Sequence, residues 1–160
     1  MQIIDNRGLL LKLRQPERIT SVIPKSKVIA EHEDYSEVLV NWGLEEAQVL
    51  KNLKLRDVPS PILAKYQWTG LHKPFDHQKD TASFLTLHRR AFCFNQQGTG
   101  KTASVIWAAD YLMKLGLIKK VLVICPLSIM DSAWRADLFT FAIHRTVDVA
   151  HGSRDKRKKI

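Results

Sequence analysis

The stretch Asn95-Gln96-Gln97-Gly98-Thr99-Gly100-Lys101-Thr102 lies between the apolar residues 91–94 and the helix-forming residues 103–115. Strand, glycine turn and helix in this order are typical of a phosphate-binding loop. Glycines let backbone N–H groups face phosphate oxygens, and the start of the helix adds partial positive charge. An ammonium group and a hydroxyl group follow the glycines, for the phosphates and for Mg²⁺ respectively. The stretch therefore predicts a nucleotide phosphate site formed by Gln97, Gly98, Thr99, Gly100, Lys101 and Thr102, with Thr102 as the Mg²⁺ contact.

The loop departs from the full phosphate-loop pattern at one position. Asn95 stands where that pattern has glycine, so only residues 98–102 match it strictly. Asparagine tolerates left-handed backbone angles better than most other residues, which makes the replacement acceptable. The competing interpretation is a glycine-rich turn without chemical meaning.

Composition predicts a folded protein with no membrane segment. The 160 residues are 45% hydrophobic, enough for one domain with a core or for a domain with a small appendage. No apolar stretch approaches the ~20 residues of a membrane span, and no signal sequence begins the chain. Cys93 and Cys125 lie in apolar runs without metal-site spacing. We therefore expect a cytoplasmic, intracellular protein with reduced thiols.

The charge balance favours a polyanionic partner. Lys plus Arg exceed Asp plus Glu by 25 − 16 = 9, and the sequence pI is 9.7. A solvated tail is the alternative for the last basic cluster, which consists of Arg154, Lys156, Arg157, Lys158 and Lys159.

The chain divides into two segments of different character. Residues 1–70 predict a small accessory domain, because short apolar runs at 9–13, 19–23, 28–30 and 38–40 indicate strands and one helical stripe follows at 44–53. Residues 71–160 alternate between helices and strands. Helices are predicted at 76–88, 103–115 and 128–141, and strands at 91–94, 121–125 and 146–150. This alternation is typical of an α/β fold with a parallel sheet and flanking helices.

Three sequence blocks carry a family resemblance. They are Phe75-Asp76-His77-Gln78, the loop at 98–102, and Val123-Ile124-Cys125-Pro126-Leu127-Ser128 with Trp134 six residues further on. In this order the blocks resemble superfamily 2 helicases, and among them the Swi/Snf-like DNA-dependent ATPases. The resemblance covers roughly residues 71–152, about half of the chain. It implies a partial RecA-like P-loop lobe at 71–160, preceded by the β-rich accessory unit.

The resemblance also implies roles for individual residues. Lys101 and Thr102 would be catalytic, with ATP and Mg²⁺ as cofactors, and Gln78 would read the adenine edge. Pro126, Leu127 and Ser128 would contact the DNA backbone. Without the resemblance, Gln78 is a polar residue in a first helical turn and 126–128 is a strand-to-helix turn capped by Ser128. The candidates for adenine stacking are Phe75, Tyr66 and Trp68.

These implications describe the N-terminal part of an ATP-dependent DNA translocase or helicase. Its partners would be double-stranded DNA, bound through the backbone, and the remainder of a two-lobe motor. One alternative is another P-loop NTPase, such as a packaging-type ATPase. A second is a non-hydrolysing nucleotide- or DNA-binding module.

Residues 1–70 contain no motif of known function. Basic residues slightly favour DNA contact over a partner-binding module or a brace for the motor lobe, with a solvated basic β-surface as the alternative. These residues are Arg7, Lys12, Arg14, Arg18, Lys25 and Lys27.

We expect no meaningful ATP turnover by this chain, with or without DNA. No Asp-Glu pair follows an apolar strand after Lys101, and phosphoryl transfer needs carboxylates for Mg²⁺ and water as well as arginines. Losing one such group commonly costs about 10²–10³ in rate. Steady-state phosphate release measures this, with Lys101→Ala as the contamination control. Turnover that disappears in the variant would mean an unrecognised carboxylate, to be sought at Asp110, Asp131, Asp137 and Asp148.

Overall fold

The computed structural model describes residues 1–158, without the side chain of Lys156. The chain is mixed α/β and forms two compact units. The first contains Met1–Tyr66 and Ser83–Phe92, and the second contains Gln67–Ala82 and continues from Cys93. The first unit thus includes residues 83–92, which the sequence assigned to the second domain. None of the helices in the described residues is long and apolar enough to span a membrane.

A four-stranded antiparallel sheet forms the first unit. Its strands are β1 (Gln2–Ile4), β2 (Gly8–Leu13), β3 (Lys27–Glu31) and β4 (Ser36–Asn41), in the order β1-β2-β4-β3. Alternation along the two central strands places one apolar set on the core face, because successive side chains point to opposite faces. Leu9 pairs with Val40 and Leu11 with Val38, and all four side chains are buried. The β-rich N-terminal unit is therefore confirmed.

Three helices complete the segment before residue 67: α1 (Glu17–Thr20), α2 (Leu44–Asn52) and α3 (Ile62–Lys65). The strand predicted at 19–23 is wrong, because α1 occupies part of this stretch. Ile19 and Ile23 are four residues apart, so a helical turn buries both on one side, and the Ile23 N–H donates to the Ile19 carbonyl at 2.8 Å. Pro16 at the N-cap position suits this turn, since a helix start needs no N–H there.

Two of the three helices predicted for the second segment are confirmed. They are α4 (Asp76–Leu87), which belongs to both units, and α5 (Lys101–Lys114). The helical stretch predicted at 128–141 begins as a 3₁₀ turn (Leu127–Ile129), continues as a π-helix (Met130–Arg135) and ends as α6 (Ala136–Phe141). A short α7 follows at Arg154–Arg157.

The parallel sheet is not present in the described residues. No strand is assigned at 91–94, 121–125 or 146–150, and the only sheet described is the antiparallel one. A continuous apolar run predicts a strand because a parallel sheet buries both of its faces. Here that burial is missing: Phe94 is 89% exposed and Ile124 is 90% exposed. The apolar pattern is local, whereas a strand also requires neighbours that pair with its backbone.

Helix α5 supplies the core of the second unit. Its buried side chains include Ala103, Ile106 and Trp107. The Trp107 ring packs edge-on against Trp68 at 5.6 Å and Phe141 at 5.1 Å between centroids, and its N–H donates to the Thr69 carbonyl at 2.8 Å. Such pairs add about 0.5–1.5 kcal/mol beyond area burial. Trp107 therefore belongs to the core of this unit.

A buried carboxylate links α5 to the residues after α6. Asp110 Oδ1 accepts hydrogen bonds from His144 Nε2 at 2.8 Å and Arg145 Nε at 2.6 Å. Its Oδ2 lies 3.1 Å from Lys114 Nζ. The Asp110 side chain is 1% exposed, whereas its three partners keep contact with solvent. Several donors thus compensate the desolvation of one negative charge.

We expect Asp110→Ala to lower the free energy of unfolding by about 1–3 kcal/mol, less than for a fully buried pair because the partner cations can rehydrate. The matched control is Asp131→Ala, which removes an exposed ion pair with Arg135 and should cost less than ~1 kcal/mol. Denaturant unfolding followed by tryptophan fluorescence measures both. Equal effects of the two substitutions would contradict the role of Asp110 as an internal link.

Candidate nucleotide-binding site

The glycine loop begins α5 through two left-handed residues. Gly98 has φ 75° and Gly100 has φ 74°, a region that other residues enter at a cost of roughly 1–2 kcal/mol. Gly100 is the N-cap, and the Ser104 N–H donates to its carbonyl at 3.2 Å. The N–H groups of the three residues before Ser104 have no acceptor within the helix. Three backbone donors thus stand in the first turn after the loop, as a phosphate site requires.

Lys101 lies across this loop. Its Nζ donates to the carbonyls of Asn95 at 2.9 Å and Gln96 at 2.7 Å, and Thr99 Oγ1 donates to the same Gln96 carbonyl at 2.8 Å. These contacts hold the ammonium beside the helix start. A phosphate oxygen carries a full negative charge and a carbonyl oxygen only a partial one, so a phosphate would compete well for this ammonium.

Gln78 connects the loop to the start of α4. Its Oε1 accepts from the Phe75 N–H at 3.0 Å, and its Nε2 donates to the Thr99 carbonyl at 3.3 Å. His77 Nε2 lies 3.1 Å from the same carbonyl. The bond to Phe75 is one half of a capping box, with Gln at the third helical position. Recognition of adenine by Gln78 stays a prediction. The contact between Gln78 and the Phe75 N–H was not predicted, although the three-residue spacing of a capping box is visible in the sequence.

The Gln78 side chain lies so close to residue 100 that it favours glycine there. A Cβ at Gly100 would lie 2.1 Å from Gln78 Nε2, whereas a Cβ at Gly98 would meet nothing within 4 Å. Gly98 is therefore required by its backbone angle alone. Gly100 is required by its angle, and its missing side chain also leaves room for the end of the Gln78 side chain.

The explanation offered for Asn95 is wrong. Asn95 is not among the residues with positive φ, so tolerance of left-handed angles plays no part. Its side chain instead donates through Nδ2 to Thr81 Oγ1 at 2.9 Å, and Thr81 Oγ1 donates to the His77 carbonyl at 2.8 Å. The amide attaches the loop to the second turn of α4, which glycine could not do.

Of the three aromatic candidates for adenine stacking, the structure leaves Phe75 available. Its side chain is 68% exposed, and its ring stacks on His77 at 5.7 Å with an interplanar angle of 10°. Tyr66 is buried, and Trp68 packs against Trp107. Phe75 is also the residue whose N–H binds Gln78.

The predicted DNA contacts lie on the surface. Pro126 is the N-cap of the 3₁₀ turn that contains Leu127 and Ser128, and all three residues are exposed. No side chain caps this turn, so the capping alternative for Ser128 is not supported. In the basic C-terminal cluster, Arg154, Arg157 and Lys158 are exposed, whereas Lys159 and the Lys156 side chain lie outside the described part.

The acidic residues do not assemble beside Thr102. Asp110 lies nine residues after Lys101 on the same helix, about 13 Å along its axis. Asp131 pairs with Arg135, and burial raises the pKa of the Asp137 carboxyl, which disfavours the charged form. Within residues 1–158, no group of three or more His, Cys, Asp or Glu is placed to hold a metal. The Mg²⁺ contact of Thr102 stays a prediction.

Comparison with protein-family models, with curated proteins and with solved structures gave no match. The interpretation of the loop accordingly rests on its own sequence and geometry.

We expect Gly100→Ala to destabilise the protein more than Gly98→Ala by about 1 kcal/mol, because both strain the backbone but only the first displaces Gln78. In a Gln78→Ala background the difference should disappear. Unfolding midpoints of the parent chain, the three single variants and the two double variants measure this coupling. An unchanged difference without the Gln78 amide would show that the contact is not its cause.

Proposed function

We propose that this chain is the N-terminal part of an ATP-dependent DNA translocase or helicase of the Swi/Snf-like type. It binds the ATP phosphates at residues 97–102, coordinates Mg²⁺ through Thr102 and contacts DNA at residues 126–128. The observation that carries the proposal is the loop with left-handed Gly98 and Gly100, which opens directly into α5 beside Lys101.

The donors around the loop support ATP as the ligand. The first turn of α5 offers backbone N–H groups, and Lys101 adds the cation required beside the β- and γ-phosphates. Thr102 directly follows this lysine, the position from which a hydroxyl holds Mg²⁺ in phosphate loops. Next to the loop, Phe75 presents an exposed ring and Gln78 an amide, as recognition of a base requires.

Charge and the order of the motifs support DNA as the partner. The exposed turn at 126–128 follows an extended apolar run, and the chain carries nine positive charges in excess. Exposed N–H groups and a hydroxyl at such a turn suit a nucleic-acid phosphate.

A RecA-like lobe is part of the proposal. In such a lobe residues 91–94 and 121–125 would be parallel strands that end at the phosphate loop and at Pro126. The apolar surfaces of Phe94, Leu122 and Ile124, all now exposed, would become buried there.

The non-hydrolysing nucleotide-binding module is the second candidate. It is favoured by the position of Asp110, which is engaged by Lys114, His144 and Arg145 well away from the loop. Phosphate release distinguishes the candidates, provided that the measurement includes the complementary motor lobe.

Lys101→Ala should weaken binding of a non-hydrolysable ATP analogue about 10- to 100-fold, the equivalent of about 1.5–3 kcal/mol for a charged hydrogen bond. Isothermal titration calorimetry measures the affinity. Lys119→Ala is the matched control, because it removes an equal charge from an exposed position outside the loop.

A second set of titrations measures the affinity for the ATP analogue with and without Mg²⁺, in the parent chain and in the Thr102→Val variant. Thr102→Val keeps the side-chain shape and removes the hydroxyl, so it should reduce the gain in affinity that Mg²⁺ provides.

Equal analogue affinity in Lys101→Ala and the parent chain would overturn the phosphate assignment.

A further inference from the structure

A basic groove lies on the N-terminal sheet, outside the candidate nucleotide-binding site. Its volume is ≈ 660 Å³, and its lining includes the cations Arg7, Lys25 and Lys27 around Gly8 and Leu39. The cations come from two places in the chain, the turn between β1 and β2 and the approach to β3. We call these residues the basic groove.

The hairpin turn fixes Arg7 at one side of the groove. Three residues, Asp5 to Arg7, connect β1 to β2. Asp5 and Asn6 have φ 49° and 53°, the left-handed angles of the central residues of a tight turn, and the Arg7 N–H donates to the Ile4 carbonyl at 2.9 Å. The Arg7 carbonyl accepts from the Trp42 N–H at 2.7 Å. The guanidinium therefore projects from a backbone held at both its N–H and its carbonyl.

The two lysines are fixed by a turn and by strand pairing. Ser26, between them, binds the Ile23 carbonyl through its N–H at 2.9 Å and through its Oγ at 2.6 Å. Lys27 pairs with Leu39 across β3 and β4, and directly paired residues share a face of the sheet. Lys27 and Leu39 thus face the groove together, opposite the core face.

Gly8 leaves space at the bottom of the basic groove because it has no side chain. It pairs with Asn41, and a Cβ at Gly8 would lie 3.0 Å from Leu39 Cδ1. A side chain at position 8 would therefore occupy the groove. Its φ is not in the left-handed region, so the absence of a side chain matters here for space and not for backbone angle.

The positive charges of the groove are not neutralised within the described residues. No carboxylate lies within 4.0 Å of the Arg7, Lys25 or Lys27 side-chain nitrogens there, whereas Lys12 on the same sheet lies 3.6 Å from Glu37. Asp5 is the one acidic lining residue. Three exposed cations around one concave surface repel each other, and a polyanion would relieve that repulsion.

We propose that the basic groove binds the sugar-phosphate backbone of duplex DNA. The choice of DNA rests on the proposed function, and the groove itself supplies the charge complementarity. None of the lining residues is aromatic, so the groove lacks the stacking surface that single-strand binding proteins use for bases. Contact through phosphates alone makes this binding independent of sequence and steeply dependent on salt.

The test compares the triple variant Arg7→Gln, Lys25→Gln, Lys27→Gln with the control Arg56→Gln, Arg89→Gln, Arg90→Gln. The control removes equal charge from exposed positions outside the groove in the same unit. Fluorescence anisotropy with a mixed-sequence duplex, without nucleotide, gives affinity as a function of salt. Loss of three phosphate contacts should reduce the slope of log K against log salt concentration by about 2 to 3 in the groove variant. The control should keep at least most of the parent slope.

A second variant tests shape separately from charge. Gly8→Val should reduce DNA affinity several-fold while leaving the parent slope nearly unchanged, because it fills the floor and keeps every cation. Circular dichroism and the unfolding midpoint verify that each variant folds. Equal loss in the groove and control variants, or tighter binding of an acidic peptide than of DNA, would overturn the proposal. Lys101→Ala should bind DNA like the parent, so a failed ATP assignment leaves this result interpretable.

Discussion

The left-handed backbone at Gly100 is the constraint on which the candidate site depends. It allows α5 to begin at Lys101, so the first-turn N–H groups and the lysine follow the loop at once. The missing side chain also leaves room for Gln78, whose amide joins the Thr99 carbonyl to the first turn of α4. A single residue thus satisfies a dihedral requirement and a packing requirement. Either requirement alone would favour glycine, and together they exclude other residues without local rearrangement.

The loop is also supported from two sides by side chains that never face a ligand in the proposed chemistry. Asn95 attaches it to Thr81, and the buried parts of α5 fix the helix that follows. Trp107 contributes aromatic packing and Asp110 contributes a buried ionic link to His144 and Arg145. Supporting contacts of this kind matter because backbone donors select an anion only when their directions are fixed in advance.

Positive charge is arranged in two different ways along the chain. At the loop, one ammonium is positioned by defined hydrogen bonds, which suits recognition of a compact phosphate group. On the N-terminal sheet, several exposed cations surround a shallow space without neutralising partners, which suits a repeating polyanion. The first arrangement gives directional binding, and the second gives long-range attraction that salt weakens. The net charge alone cannot distinguish them, because it counts both equally.

The sequence by itself determined the elements whose signals are local. The glycine loop, the helix after it, α4 and the strands around Leu9 and Val38 follow from spacing, turn residues and alternation, all of which act within a few residues. Tertiary structure decided what depends on distant partners. The four-residue spacing of Ile19 and Ile23 became a helical turn instead of a strand, and Asn95 acquired a side-chain partner on α4 in place of a left-handed backbone. Asp110, one of several unassigned carboxylates in the sequence, became a buried link because the side chains of His144 and Arg145, thirty-four and thirty-five residues away, reach it. The apolar run at 121–125 has the residue pattern of a strand, but the structure has no strand there. A strand needs backbone partners, which no local pattern supplies.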